Sequence, residues 1–112
     1  MATKCIVAMV KPELTDKVVE AAKKKGATGA TNIPASGCGA HEAKTFWGLS
    51  LDVRTEVVVF LVSDEIVEPV MTAIQEAGRF AEPGTGIAFV LAVEQVAGME
   101  SQQSNTSTSS PH

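Results

Sequence analysis

The sequence predicts an α+β fold with the element order β-α-β-loop-β-α-β. Apolar runs rich in β-branched residues, at 4–10 and 55–62, are each followed by apolar residues at helical spacing. Each of these two units ends in a further segment of strand length, at 27–33, which Gly29 and Thr31 interrupt, and at 87–93, which is apolar. Right-handed crossovers would place both helices on one face of a four-stranded antiparallel sheet, which is the ferredoxin-like arrangement.

The other face of this sheet is expected to be apolar as well. It would present Val57, Val59, Phe89 or their neighbours, and a monomer would leave them exposed. Burial between copies of the chain is the simplest remedy, so we expect an oligomer.

The first unit begins with a strand at 4–10 that ends at Lys11-Pro12. Pro12 suits the first turn of a helix, where its missing N–H has no cost. Apolar spacing predicts a helix from Glu13 to Lys25, and Gly26 is a suitable residue to follow it. A second strand is predicted at 27–33.

The second unit has the strongest strand signal of the chain, at 55–62. Ser63 or Asp64 can cap the following helix, which should run to about Ala77 and end at Gly78. Pro69 is tolerable only near the first turn, so this helix either starts late or kinks there. The fourth strand is predicted at 87–93.

Two irregular segments separate these elements. Residues 35–54 lack a sustained period and are predicted to form a long connecting loop, and residues 79–86 form a Gly/Pro-rich loop. We expect the domain to span residues 1–98, and the polar segment 99–112 to be a disordered tail.

Composition narrows the class of function. The chain has 112 residues and no tyrosine. Because its net charge is −4, it lacks the basic excess that nucleic-acid binding requires. Its two cysteines do not resemble a secreted disulfide framework. No signal peptide or membrane span is evident, and we expect a cytoplasmic protein.

Three motifs occur in a fixed order: Val10-Lys11-Pro12, Gly37-Cys38-Gly39 and the glycine-rich segment 83–90. Together they resemble the PII signalling family, and the resemblance covers residues 4–98. It implies a homotrimer that binds an adenine nucleotide between subunits and is not an enzyme. In that family the nucleotide contacts a long loop (the T-loop, here about 36–54), the third long strand and a glycine-rich loop (the B-loop, here 79–86). The T-loop then reports the nucleotide state to a partner protein.

Carried onto this sequence, the resemblance implies a nucleotide site made by short segments of these three regions together with one residue each from the first and second strands. Glycines in both loops would let the backbone approach the ligand and offer N–H groups to phosphate; the alternative is that they merely form turns. The residues assigned to this site are Met9, Thr31, Gly37, Cys38, Gly39, Ala40, Glu56, Val57, Val58, Arg79, Phe80, Pro83, Gly84, Thr85 and Gly86.

Departures from the family pattern indicate the ligand. Ile87 stands where a lysine normally follows the last B-loop glycine, Ala40 replaces a basic residue, and no arginine occurs in 94–100. Fewer charge-assisted contacts would weaken a triphosphate most, so we expect ADP or AMP rather than ATP. Arg79 is the best remaining phosphate partner, although it equally fits a solvated surface charge.

Other departures argue against nitrogen sensing. His41 replaces the glutamine that helps to hold magnesium and 2-oxoglutarate, and Asp52 lies near the position of the T-loop lysine. The chain also lacks the tyrosine that is uridylylated in nitrogen-sensing members. We therefore expect control by 2-oxoglutarate and by uridylylation to be lost.

Segments 41–51 and 82–91 look like those of the carboxysome-associated PII-like subgroup. That resemblance implies bicarbonate as a second ligand, near His41, Lys44 and Arg54. The partner protein would then be a transporter or a carbon-fixation component. Phe46 and Trp47 are candidates for docking it, or else they fold back onto the trimer.

Three alternatives remain open at this stage. A trimer of the same fold could bind copper or zinc through Cys38 and His41, although these two residues alone do not make a zinc site and we predict no metal. A nitrogen-regulatory PII protein is the second alternative. The third is a weak nucleotide hydrolase dependent on His41, but no catalytic triad is evident.

Overall fold

The long strands and the helices follow the predicted order β-α-β-loop-β-α-β. The computed structural model describes residues 2–35, 45–46, 49–50 and 54–98. In chain order the elements are β1 (Thr3–Val10), α1 (Thr15–Lys24), β2 (Thr31–Ala35), β3 (Thr45–Phe46), β4 (Leu49–Ser50), β5 (Thr55–Ser63), α2 (Val67–Ala77) and β6 (Gly86–Ala92). A short 3-10 turn precedes each helix, at Pro12–Leu14 and at Asp64–Ile66.

The four long strands form one antiparallel sheet in the order β2-β5-β1-β6. Because β5 is antiparallel to both β1 and β2, those two strands run in the same direction with β5 between them. Likewise β1 separates the codirectional strands β5 and β6. Each helix therefore connects two parallel strands across an intervening one, and the predicted ferredoxin-like fold is confirmed.

The core lies between the helices and one face of this sheet. Alternate residues of the two central strands are fully or almost fully buried there: Ile6, Ala8 and Val10 of β1, and Val58, Phe60 and Val62 of β5. The helices contribute Val18, Ala22, Val70 and Ile74. Burying these side chains supplies the main favourable free energy of folding, at about 1.5–3 kcal/mol for each large side chain.

The opposite face of the sheet, called here the open face, is apolar and is not covered by either helix. The register sets Thr31, Val59, Val7 and Phe89 side by side across its four strands. Ile33, Leu61 and Leu91 on this face are 45%, 41% and 50% exposed. The predicted exposure of Val57, Val59 and Phe89 on one face agrees with this register.

The second strand begins later than predicted, at Thr31 rather than at residue 27. Ala27 is buried in the core instead, and its N–H donates to the carbonyl of Ala22 at the end of α1. Residues 27–30 are thus used to close the helix and return the chain to the sheet. Pairing with β5 starts only at Thr31, opposite Val59.

Two further details refine the prediction. The 35–54 segment, predicted as a loop, includes the two-residue strands β3 and β4, with Thr45 opposite Ser50; strands this short have no detectable period. Pro69 is the third residue of α2, so that helix does start late. No helix within residues 2–35 or 54–98 is long and apolar enough to cross a membrane.

Candidate functional site

Both predicted loops attach to the same end of the sheet. β2 ends at Ala35 and β5 begins at Thr55, so the T-loop segment leaves and returns there. β1 ends and β6 begins at this end too, because Val10 lies opposite both Glu56 and Gly86. The fold therefore places the strand ends that flank the T-loop segment and the start of the strand that follows the B-loop at one end of the sheet, although these residues lie far apart in sequence.

An apolar row lies on the open face beside these loops. It consists of Met9, Val57 and Ile87, since Met9 lies opposite both of the others in the register. All three side chains are half-buried. A flat row of this kind is suited to contact with an aromatic base.

Two other strand residues of the predicted site, Glu56 and Val58, differ in how deeply they are buried. Glu56 is half-buried at the same end, whereas Val58 is completely buried among the core residues. Val58 also lies between Ala8 and Asn32 in the ladder, so neither its side chain nor its backbone faces solvent. We therefore omit Val58 from the set that could contact a ligand.

Thr31 is not brought to the B-loop within one chain. It lies opposite Val59 and lines an open groove of about 700 Å³ with Leu61 and with Val96–Gly98, which follow β6. A single ligand could contact both Thr31 and the B-loop only if they came from different subunits or if the ligand extended across the sheet.

The B-loop begins with an unusual helix end. Phe80 N–H donates to the Gln75 carbonyl (3.0 Å) and Arg79 N–H donates to the Glu76 carbonyl (3.2 Å), which is the Schellman pattern. The residue that must adopt a left-handed conformation in this pattern is Arg79, with φ 58°. Arginine rarely occupies this region, because its Cβ crowds the backbone.

The end of α1 provides an internal comparison. There Ala27 N–H donates to the Ala22 carbonyl (3.1 Å) and Gly26 N–H donates to the Lys23 carbonyl (3.0 Å), so the same pattern forms. Gly26, with φ 111°, occupies the left-handed position. The chain thus uses glycine at one helix end and arginine at the equivalent position of the other.

Thr85 closes the B-loop from its far end. Its hydroxyl oxygen lies 2.5 Å from the carbonyl oxygen of Arg79 and 2.9 Å from that of Glu82, and the residue is 4% exposed. The Arg79 carbonyl also accepts the N–H of Glu82 at 2.9 Å. The Thr85 side chain is therefore engaged within the loop.

Backbone conformation requires glycine at one position of the B-loop, and close packing requires it at another. Gly84 has φ 78°, a conformation that favours glycine. A Cβ added at Gly86 would lie 2.5 Å from the Met9 carbonyl oxygen and 2.6 Å from Cε1 of Phe80. The Phe80 ring also lies against Gly78 and packs on the core, so Phe80 anchors the loop.

Arg79 itself is exposed and lines a shallow depression of about 400 Å³ with Thr72, Gln75 and Glu76 of α2. Pro83 is also exposed, within the same loop. Arg54 is exposed immediately before β5, at the sheet end where the T-loop returns. Each of the two loops thus carries one exposed arginine, Arg79 in the B-loop and Arg54 at the end of the T-loop segment.

Comparison with known proteins indicates the family to which this chain belongs. The sequence model of the family described as "Nitrogen regulatory protein P-II" matches residues 3–103. This chain belongs to the P-II family. Proteins of this family are regulatory signalling proteins rather than enzymes; they form trimers and bind nucleotides and partner proteins.

Two P-II relatives show how closely the chain is related. A protein of Pyropia yezoensis described as "Nitrogen regulatory protein P-II" is 31% identical over 98 residues, covering 83% of this chain and 88% of the relative. The crystal structure of a PII-like signaling protein from Thermus thermophilus superposes with a TM-score of 0.65 at 25% identity, covering 89% of this chain and 95% of that one. The predicted family is confirmed, and the carboxysome-associated subgroup remains a prediction.

Several predicted residues of this P-II protein lie outside the described part of the chain. They are Gly37, Cys38, Gly39, Ala40, His41, Lys44 and Trp47, and Phe46 is described only as part of strand β3. Within the described residues, no three His, Cys, Asp or Glu side chains cluster so that they could hold a metal ion. Cys38 and His41, on which a metal site would depend, are not among them.

The inward-facing Thr85 and the left-handed Arg79 are features that the sequence interpretation missed. Gly78 was predicted to end α2, and it does, but with φ −84°. Gly78 is present because a side chain there would collide with Phe80. The available signal was the contrast between Lys25-Gly26 after α1 and Gly78-Arg79 after α2, in which the glycine is displaced by one residue.

The backbone of Arg79 leads to a first prediction. Replacing Arg79 with glycine should make the protein more stable than replacing it with alanine, by about 1 kcal/mol, because only glycine relieves the left-handed conformation. Chemical denaturation of the two variants at equal protein concentration measures this difference. Equal stabilities would contradict the left-handed assignment.

Proposed function

We propose that this P-II protein is a homotrimeric sensor that binds ADP or AMP in clefts between its subunits. The observation that supports this proposal most strongly is that the strand ends flanking both loops lie at one end of the sheet, next to the apolar row of Met9, Val57 and Ile87. That row would contact the adenine base, while the B-loop backbone and Arg79 would contact phosphate. Membership of a family that binds nucleotides supports the same assignment.

The open face supports the proposed trimer. An apolar surface across four strands, with Ile33, Leu61 and Leu91 substantially exposed, is unfavourable in water. Packing the open faces of three chains together would bury it. Subunit contact would also allow Thr31 of one chain to join a site formed by the B-loop of another.

The preference for fewer phosphates rests on charge. Within residues 78–98, Arg79 is the only basic side chain, whereas Glu82 and Glu94 are acidic. Each charge-assisted hydrogen bond to phosphate contributes about 1.5–3 kcal/mol, so a site with few cations favours a short phosphate chain. In the proposed site, backbone N–H groups and one guanidinium would hold one or two phosphates.

Bicarbonate is the proposed second ligand. Arg54 lies where the T-loop returns to the sheet, and His41 and Lys44 belong to the same loop. An anion bound by these groups next to the nucleotide would couple its own binding to that of ADP. The T-loop, with Phe46 and Trp47, would report the combined state to a transporter or carbon-fixation partner.

Calorimetric titration tests this function. We expect ADP and AMP to bind more tightly than ATP, and bicarbonate to strengthen ADP binding; by linkage, ADP must strengthen bicarbonate binding by the same factor. Arg54→Met should remove that coupling, and Lys17→Met, on the exposed surface of α1, is the matched control. Tight ATP binding without an effect of bicarbonate would contradict the proposal.

Nitrogen regulation is the second candidate function, because the matching family and the Pyropia relative both carry that description. It would require binding of 2-oxoglutarate with magnesium. Because His41 and Asp52 replace the family residues for that ligand, we expect no response. Binding of 2-oxoglutarate in the same titration would favour the nitrogen-regulatory alternative.

A further inference from the structure

We propose that Thr85 is a positioning residue, whose hydroxyl holds the Arg79 backbone so that the B-loop is preformed for phosphate. This inference rests on the proposed function, because it assigns Thr85 a role in the same nucleotide site. It replaces the expectation that Thr85 contacts the ligand directly.

The Thr85 side chain points into its own loop. The residue is 4% exposed, and its hydroxyl oxygen lies within hydrogen-bonding distance of two carbonyl oxygens of its own loop. A hydroxyl has one proton to donate, and the closer acceptor is the Arg79 carbonyl at 2.5 Å. The Thr85 hydroxyl therefore faces its own loop and is not presented to a ligand at the loop surface.

The hydrogen bond from the Thr85 hydroxyl constrains the backbone of Arg79. The Arg79 carbonyl accepts both the Thr85 hydroxyl and the N–H of Glu82, so both of its lone pairs are used. The Arg79 N–H is bonded in turn to the Glu76 carbonyl. Both backbone groups of Arg79 are thus fixed, in a conformation that arginine would otherwise avoid.

The same hydrogen bond connects the two ends of the B-loop, which is the proposed phosphate-binding segment. Thr85 lies between Gly84, which has a positive φ, and Gly86, which enters β6 against Met9. The hydroxyl therefore joins the basic start of the loop to its glycine-rich end. Fixing both ends before the ligand arrives lowers the entropic cost of binding.

Comparison of ADP with adenosine isolates this role, because adenosine lacks the phosphates. Thr85→Val keeps the shape of the side chain and removes the hydroxyl. We expect this variant to bind ADP about tenfold more weakly than the wild type, and to bind adenosine with unchanged affinity, measured by competition. Thr85→Ser retains the hydroxyl and should restore most of the ADP affinity.

A merely structural role would give a different pattern. If Thr85→Val lost ADP and adenosine affinity equally, or retained full ADP affinity, the positioning role would be wrong. If the valine variant does not fold, Thr85→Ala and Thr85→Ser provide the same comparison with a smaller side chain. Thermal unfolding measured for each variant shows which variants fold, and only those are compared.

Amide hydrogen exchange tests the Thr85 contact without a nucleotide. In the valine variant the Glu82 amide, which donates to the Arg79 carbonyl, should exchange faster, and in the serine variant it should not. Unchanged exchange would overturn the contact itself. If the wild type binds no adenine nucleotide, the proposed function and the phosphate role fail together, while the exchange data still decide whether Thr85 holds the loop.

Discussion

Replacing Val7 with aspartate is expected to dissociate the proposed trimer and to abolish ADP binding. Val7 lies at the centre of the open face, between Val59 and Phe89 in the register. An aspartate buried there between subunits would be an uncompensated charge, at a cost of about 3–5 kcal/mol per chain. In a single chain the same side chain could reach water, so the monomer should still fold.

Sedimentation velocity measures the dissociation, and calorimetry with ADP measures the loss of binding. Asn32→Asp is the matched control, because Asn32 is exposed on β2 and lies opposite the buried Val58 rather than on the open face. It introduces the same charge into the same sheet and should leave both properties unchanged. A Val7→Asp variant that sediments as wild type would show that the subunits do not meet through the open face.

Replacing Gly86 with alanine is expected to lower the free energy of unfolding by about 3 kcal/mol. The added Cβ would lie 2.5 Å from the Met9 carbonyl oxygen, which belongs to the central strand β1 and cannot move without disturbing its pairing. The Phe80 ring, 2.6 Å away, would also be displaced, and it anchors the B-loop. The substitution should therefore weaken ADP binding as well as stability.

Gly29→Ala is the matched control for this substitution. A Cβ at Gly29 meets nothing within 4 Å, and its φ is not in the left-handed region. Alanine there should be neutral or stabilising by about 0.4–1 kcal/mol, since it restricts the unfolded chain. Urea denaturation at one fixed protein concentration compares the two variants. Similar destabilisation by both would mean that the close approach at Gly86 is not what requires glycine.

The sequence was sufficient for the fold because its strongest patterns report directly on burial. The run at 55–62 predicted β5, which contains Phe60 and is one of the two central strands. Helical spacing predicted both helices. The start of β2 could not be predicted in the same way. Ala27 is apolar and suits a strand, but tertiary packing places it in the core at the end of α1.

The candidate site was predictable in outline and not in detail. Motifs indicated which loops form it, but the meeting of Met9, Val57 and Ile87 depends on sheet register, which only the folded chain fixes. The left-handed Arg79 was hidden because Gly78 looked sufficient to end the helix. The inward direction of Thr85 depends on distances between atoms six residues apart, to which no sequence pattern corresponds.

Native mass spectrometry of the wild-type protein, with and without ADP, tests the central claim most directly, because one spectrum reports both subunit number and bound ligand. We predict a trimer that takes up ADP in steps, to one molecule per chain at saturation. Adenosine at the same concentration provides the comparison that lacks phosphate and should be retained less. A monomer, or a trimer that retains no ADP, would contradict the account.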